Sequence, residues 1–372
     1  MGREHNSSKC NLTLVLYEKQ HLELEQRPVP CKPRPNEVTL ATHTVGICGS
    51  DVKYWQQGKI GNFVVTKPMI LGHETSAVVI DVGENVKHLK PGDKVAAEVG
   101  VPCSTCDLCR KGKYNLCEQM QFAATPPYDG TLTRYFNHPA DFCFKLPEGV
   151  SLEEGALLEP LAVAVHACKR AQIKLGDTVL VSGAGAVGLL CMMTARAFGA
   201  NLIVVTDVNE QRLKFAKELG ADRTVVVQRN EFPQQLAARL KSEHFGGRGV
   251  DVILECSGAE TSMVLAINVA RTGGTIVCVG CQPDLVTIPL QIALMQEIDI
   301  KGLFRYRNCY PIALSMVESG RINLRPLITH RFKLEDATKA FELCSRGEGV
   351  KILIKCMDES QLQNDLGFNG IH

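Results

Sequence analysis

Thr178-Val179-Leu180-Val181-Ser182-Gly183-Ala184-Gly185-Ala186-Val187-Gly188 decides how this chain is read. Its first half is a short, near-continuous apolar run of the kind that forms a strand buried on both faces of a parallel sheet. The glycines that follow have G-x-G-x-x-G spacing. Gly183 permits a tight turn, Gly185 lets a pyrophosphate approach the backbone, and Gly188 lets helix and strand pack closely. The start of that helix offers unpaired N–H groups and the positive end of its dipole to phosphate oxygens. Glycines alone are weak evidence; placed between a strand and a helix, they point to a dinucleotide site.

Downstream, Leu189 to Phe198 predicts a helix that stops at Gly199. Further apolar runs at Leu202-Ile203-Val204-Val205, Val225-Val226-Val227, Val252-Ile253-Leu254 and Thr275-Ile276-Val277-Cys278-Val279 alternate with helical patterns. Such βα alternation predicts an α/β domain with a doubly wound parallel sheet. Asp207 ends the second strand, nineteen residues beyond Gly188. There a carboxylate can accept both ribose hydroxyls and repel a 2′-phosphate, which favours NAD over NADP. Arg212 can instead accommodate that phosphate, and the alternative role for Asp207 is a helix N-cap on the way to Glu210.

Upstream the texture differs. Residues 1–160 are rich in Gly, Pro and Cys, with short alternating runs such as Glu37-Val38-Thr39-Leu40-Ala41-Thr42 and Ala77-Val78-Val79-Ile80. They predict an antiparallel β domain with functional loops. The expected division is therefore 1–160, 161–295 and 296–372, the last returning to the first domain. That last part carries Arg305-Tyr306-Arg307, a helix from Glu335 to Ser345, and a loose polar tail over its last fifteen or so residues.

Composition narrows the function. Forty-one basic against forty acidic residues in 372 leave a net charge of +1, too balanced for a nucleic-acid or anionic-membrane binder. No apolar run approaches the roughly 18 residues of a membrane span. The N-terminal Met1-Gly2-Arg3-Glu4-His5 lacks the apolar region of a secretory signal. Sixteen cysteines in a chain of this size read as reduced thiols, hence a cytoplasmic protein.

Four of those cysteines, Cys103, Cys106, Cys109 and Cys117, have C-x2-C-x2-C-x7-C spacing. Four soft thiolates with no open position describe a structural zinc site; a disulfide or redox cluster is the alternative. A second group joins Cys48 to the pair His73-Glu74. A thiolate, an imidazole and a carboxylate suit a catalytic zinc that keeps one position open. Taken singly, Cys48 reads as a small buried hydrophobe and His73 as a core residue; together they read as ligands.

These residues resemble the zinc-containing medium-chain dehydrogenases. The likeness runs over nearly the whole chain, through Gly72-His73-Glu74, the four-Cys lobe, the dinucleotide fingerprint and the domain order. Val45-Gly46-Ile47-Cys48-Gly49-Ser50-Asp51-Val52, Tyr54-Trp55, Gly61-Asn62-Phe63, Ala124-Thr125-Pro126-Pro127, Glu154 to Leu161 and Lys301 to Tyr306 resemble its polyol-oxidising branch. Mammalian members of that branch lack the complete four-Cys set, which this chain retains.

The resemblance implies a GroES-like antiparallel β catalytic domain and a Rossmann domain. It implies a catalytic zinc served by Cys48, His73, Glu74 and Glu159, with Glu159 standing where alcohol dehydrogenases use a second Cys. Whether Glu74 or Glu159 ligates directly or through water is open. It places Tyr54, Glu159, Arg305 and Tyr306 at a polyol such as sorbitol, xylitol or L-iditol. Around NAD, beyond the fingerprint glycines, it places Val187, Asp207, Arg212, Val279, Gly280, Cys281, Leu303, Phe304 and Arg305. It further implies a homotetramer.

The implied chemistry is hydride transfer from a secondary alcohol to NAD, giving a ketose such as fructose. Zinc lowers the pKa of the hydroxyl, and the proton leaves through water beside Glu159 or through Ser50. Two other readings are a zinc dehydrogenase of a different alcohol, such as L-threonine or a simple secondary alcohol, and a non-catalytic NAD-binding protein. The non-catalytic reading predicts lost ligands, whereas Cys48, His73, Glu74 and Glu159 are all present.

Overall fold

The computed structural model describes residues 11–280 and 283–366. The chain forms two compact units, one reaching Glu159 and resuming at Asn323, the other running from Pro160 to Ile322.

The Pro160–Ile322 unit is the doubly wound sheet. Six parallel strands run Thr178–Ser182, Leu202–Asp207, Arg223–Val226, Val250–Glu255, Ala270–Cys278 and Asp299–Gly302. Their spatial order is third, second, first, fourth, fifth, sixth, so the order reverses beside the first strand. A ligand crevice belongs at the carboxyl ends of the strands at that reversal, where the glycine fingerprint lies. Leu180, Val204, Ile253 and Ile276 contribute one residue from each of four strands to a core closed by Leu236, Leu240 and Leu265 from flanking helices.

Two expectations shift here. The first helix runs Ala186–Ala197, starting three residues before Leu189, because the last residues of the fingerprint already form its first turn. The return to the first unit falls at Asn323 rather than at 296. Asp299–Gly302 is the sixth strand of the parallel sheet, with Ile276 opposite Ile300. An edge strand tolerates charges such as Asp299 and Lys301, so it lacks the apolar signature of its buried neighbours.

The other unit is built on a seven-stranded sheet. Its path is Cys143–Lys145, Lys94–Ala97, Glu74–Val82, Glu37–Gly46, Lys351–Lys355, Ile328–Lys333, and Tyr135–Pro139 also pairs with Glu37–Gly46. All neighbours are antiparallel except Ile328–Lys333 on Lys351–Lys355, which the helix Ala337–Ser345 joins as a crossover. The strand Glu37–Gly46 sits between two partners that matter for the site: Gly46 pairs with Glu74 on one side and with Leu353 on the other. Leu14, Leu16, Leu71, Leu132 and Phe341 fill the core of this unit. Part of the expected tail is helical. Asp358 caps a helix over Glu359–Asp365, and the Tyr135 hydroxyl donates to Asp365 at 2.6 Å.

Candidate metal centres and dinucleotide pocket

The fingerprint opens onto a cavity of about 450 Å3 lined by Gly183, Gly185, Asp207 and Arg212 among others. Gly188 is required by packing, since a Cβ there would lie 1.9 Å from the Gly183 carbonyl oxygen. Asp207 is buried at the end of its strand. One carboxylate oxygen accepts from the Ala184 amide at 2.7 Å, and the other from the Asn209 amide at 2.8 Å. The helix that follows, Glu210–Glu218, is capped by Asn209, so Asp207 is not its cap.

Val187 and Gly188 lie on the first helix rather than on the cavity wall. The amides of Val279 and Gly280 both donate to the Glu255 carbonyl at 2.8 Å. Leu303, Phe304 and Arg305 follow the sixth strand. These residues therefore gather at the carboxyl ends of neighbouring strands. Cys281 lies outside the described residues.

Cys103, Cys106, Cys109 and Cys117 converge, with all four sulfurs within 4.8 Å of one another. Cys106 lies 3.5 Å from Cys109 and 3.9 Å from Cys117, and Cys103 lies 4.0 Å from Cys109. A tetrahedron with metal–sulfur bonds of about 2.3 Å has edges of about 3.8 Å, so a zinc ion fits the cage. A disulfide needs about 2.05 Å, which none of these pairs approaches. Backbone amides of Thr105 and Cys106 lower the Cys103 thiol to about 6, whereas burial and the neighbouring thiols push Cys109 up to about 12, as crowded thiols with no cation among them do. Tyr114, inside the lobe, donates to buried Glu98 at 2.6 Å and ties the lobe to the strand region behind it.

In the second cluster His73 and Glu74 are buried and Cys48 is partly so. Ligand atoms of Cys48, His73 and Glu74 lie within 4.8 Å of one another. Cys48 stands at the N-cap of the helix Gly49–Gln57, and His73-Glu74 opens the strand Glu74–Val82. Asp51 holds the two segments together: its carboxylate accepts from the Cys48 amide at 3.0 Å and the Gly72 amide at 2.9 Å. It also lies 3.3 Å from His73 Nδ1. Burial alone would push Asp51 up and His73 down, but their mutual attraction reverses both shifts. With Nδ1 beside a carboxylate, Nε2 is the nitrogen left to bind a metal, the arrangement that orients metal-bound histidines generally. The Ser50 hydroxyl lies 3.4 Å from that Nε2.

Glu74 is fully buried and ion-paired through both oxygens to Lys351, whose Nζ also donates to the Ile47 carbonyl at 3.2 Å. A Cβ on Gly46 would fall 2.2 Å from Glu74 Oε2, so only glycine leaves room for this carboxylate. Lys351 is 3% exposed, and although burial lowers its pKa, the charges of Glu74, Cys48 and Glu159 raise it above the ordinary lysine range. Glu159 is buried in the same unit but outside the three-atom cluster.

The remaining predicted positions divide between the two units, Tyr54 in one, Arg305 and Tyr306 in the other. Tyr54 is buried on the Cys48 helix. Arg305 holds a left-handed backbone at φ 53° and its guanidinium sits 4.7 Å from the Phe304 ring centre; Asn308 is left-handed too, at φ 49°. Tyr306 is buried against Tyr310, ring centres 5.6 Å apart.

Sequence reading missed two residues of this centre. Asp51 sits three positions after Cys48, at capping-box spacing that signals a side chain turned back on the backbone. Lys351 stands in the apolar run Val350-Lys351-Ile352-Leu353-Ile354, where a lone charge demands a partner.

Comparison with known proteins identifies the family. Residues 34–148 match the alcohol dehydrogenase GroES-like domain, and residues 186–319 match the zinc-binding dehydrogenase family. The chain belongs to the zinc-binding dehydrogenases and is an oxidoreductase. Its relatives include sorbitol dehydrogenase of Gallus gallus, 52% identical over 346 residues that cover 93% of this chain and 96% of that one. Among solved structures, an Escherichia coli oxidoreductase of unknown specificity matches with a TM-score of 0.88 at 34% identity, covering 94% of this chain and all of the other. L-idonate 5-dehydrogenase from Escherichia coli matches with a TM-score of 0.86 at 30% identity, covering 94% and 99%. Zinc and NAD are the cofactors typical of the class. Among the described residues, no helix is long and apolar enough to cross a membrane.

Proposed function

We propose that this chain oxidises a secondary hydroxyl of a polyol such as sorbitol, xylitol or L-iditol to the ketose, fructose in the case of sorbitol, with NAD as acceptor. One observation carries the reading: Cys48, His73 and Glu74 form a ligand cluster, His73 and Glu74 buried, held by Asp51 and Lys351, in a chain half identical to a sorbitol dehydrogenase.

Cys48, His73, Glu74 and Glu159 would hold the catalytic zinc, and Cys103, Cys106, Cys109 and Cys117 a structural one. Bound zinc supplies Lewis acidity to the substrate hydroxyl, and the nicotinamide accepts hydride. A thiolate and two carboxylates at the first centre carry three negative charges, which a divalent ion and Lys351 together match. Asp51, beside His73 Nδ1, would hold the ring in the tautomer that leaves Nε2 for the ion. Ser50, hydrogen-bonded to that ring, moves the hydroxyl proton outward, and Glu159 receives it through water as the alternative route. Tyr54, Arg305 and Tyr306 hydrogen-bond the remaining hydroxyls and set which carbon reacts. Gly183, Gly185, Asp207 and Arg212 seat the adenosine and pyrophosphate, Gly188 packs the helix behind them with Val187 beside it, and Val279, Gly280 and Leu303 to Arg305 lie towards the nicotinamide.

The fourteen described cysteines outside any disulfide support a reducing, cytoplasmic setting. Exposed Leu290, Leu294, Met295 and Ile300 beside the open edge strand Asp299–Gly302 support a homo-oligomer, in line with a tetramer.

The test is NADH formation from sorbitol, xylitol, L-iditol, L-threonine and 2-butanol. The reading expects the highest kcat/KM on a polyol. Preference for L-threonine or 2-butanol contradicts it, and no turnover of any alcohol by zinc-loaded protein would favour the non-catalytic reading.

A further inference from the structure

One wall of the dinucleotide cavity is held from behind by a residue that does not line it. Cys256, Ser257, Ala259 and Thr261 are on the wall, whereas Glu255, the last residue of the fourth strand, is fully buried. Its side chain turns onto the residues that follow it. One carboxylate oxygen accepts from the Ser257 amide at 2.9 Å, the Ser257 hydroxyl at 2.6 Å and the Gly258 amide at 3.1 Å.

These bonds continue into the wall. The Ser257 hydroxyl gives its proton to Glu255 and accepts from the Ala259 amide at 3.1 Å, so the carboxylate fixes the hydroxyl and the hydroxyl fixes the approach to the helix Glu260–Val269. Thr261, Ser262 and Leu265 of that helix line the same cavity. A chain of hydrogen bonds therefore runs from one buried oxygen to the whole wall.

The wall is also pressed against two glycine turns. The Cys256 amide donates to the Ser182 carbonyl at 2.8 Å, and a Cβ on Gly183, in the fingerprint, would lie 3.0 Å from the Ser257 nitrogen. On the other side a Cβ on Gly280 would lie 2.4 Å from the Gly258 nitrogen. Backbone packed this closely leaves Ser257 and Gly258 little room to settle elsewhere without moving the fingerprint turn. Without Glu255, their inward-facing donors would be left unpaired, which favours such a movement.

We propose that Glu255 is a positioning residue of the dinucleotide site: without touching the ligand, it sets the wall formed by residues 257–261 against the fingerprint turn, and so sets affinity for the adenosine half of the dinucleotide. The proposal rests on reading the cavity as the dinucleotide site. What the position requires is an accepting oxygen at the reach of a glutamate side chain. Its charge is secondary, since all three donors to that oxygen are neutral groups.

Titration of the zinc-loaded full chain with ADP-ribose, by calorimetry, and with NADH, by fluorescence, tests it without turnover. Glu255→Met removes the acceptor and should weaken both ligands alike by roughly tenfold or more, the scale on which a displaced supporting group acts. Glu255→Gln keeps an oxygen at the same reach and should recover most of that loss. Glu255→Asp keeps the charge, falls one methylene short and should not. If Glu255→Met does not fold, the contrast between Glu255→Gln and Glu255→Asp decides the matter. In the steady state Glu255→Asp should raise KM for NAD and leave kcat within about threefold, the pattern of lost uniform binding. A folded Glu255→Met or Glu255→Asp variant with wild-type affinity, a loss confined to NADH, or tighter binding by Glu255→Asp than by Glu255→Gln overturns the proposal. Failure of both ligands to bind the wild type contradicts the dinucleotide reading itself.

Discussion

The two ligand clusters share one unit and are built in opposite ways. The four-Cys cage draws every ligand from residues 103 to 117, in a lobe of short turns, with three of its four thiols only half-buried. The Cys48 centre draws on residues 48, 51, 73, 74 and 351, and apart from Cys48 those residues are buried. A local cage closes with little loop entropy to overcome and can be read from spacing alone. A centre assembled from distant strands depends on the sheet: Gly46 must pair with Glu74 and with the returning strand before Lys351 can reach the carboxylate. The closed cage suits structure, and the buried centre with its second layer of partners suits chemistry.

Removing Lys351 should separate the two most sharply. Lys351→Met leaves the Glu74 charge buried without its partner, a loss that typically costs about 3–5 kcal/mol. Denaturant unfolding should show it, and Glu74→Gln combined with Lys351→Met should recover much of the loss. If the double variant is as unstable as the single, the ion pair is not what holds the strand return.

Asp51→Asn should act on the metal rather than on the fold. Losing the carboxylate behind His73 should weaken zinc at this centre by about 10–100-fold, read by chelator competition, while the cage keeps its ion. Equal loss at both centres would mean that Asp51 supports the unit in general. In the cage, Cys106→Ser should lower the melting temperature by roughly 5 °C with turnover of the folded protein largely kept. Turnover falling as far as stability would erase the functional distinction.

The smallest effect is in pH dependence. Burial lowers His43, His138 and His166 from 6.5 to about 4, so in that window the unfolded chain binds protons that the folded chain refuses. Stability should therefore climb as pH rises from about 4 to 6.5. Glu98, tied to the cage through Tyr114, works the other way: burial raises it from 4.5 to about 7, so its contribution is present below 4.5 and fades as pH rises through 7. Glu98→Gln should steepen the climb in melting temperature across the window. An unchanged slope would show that Glu98 does not titrate there.

The same contrast explains what could be read in advance. The parallel sheet was legible because each buried strand is an apolar run, and the cage because its thiols are close in sequence. The sixth strand was not, since Asp299 and Lys301 place charges on an edge. Glu359–Asp365 reads as a tail in the sequence because a polar surface helix resembles a loop; the Asp358 cap and the Tyr135 contact are what order it. Cys48, His73 and Glu74 were visible as metal-binding residue types, yet Lys351 belongs to the centre only through strand pairing across some 277 residues.

Metal content measured alongside turnover tests the central claim most directly. Wild-type protein should carry two zinc ions per chain and produce NADH from a polyol. Cys48→Ser should keep one zinc ion and a near-native melting temperature and lose turnover. A fully active wild type with one zinc ion per chain, or a Cys48→Ser variant that still oxidises the polyol, would contradict the account.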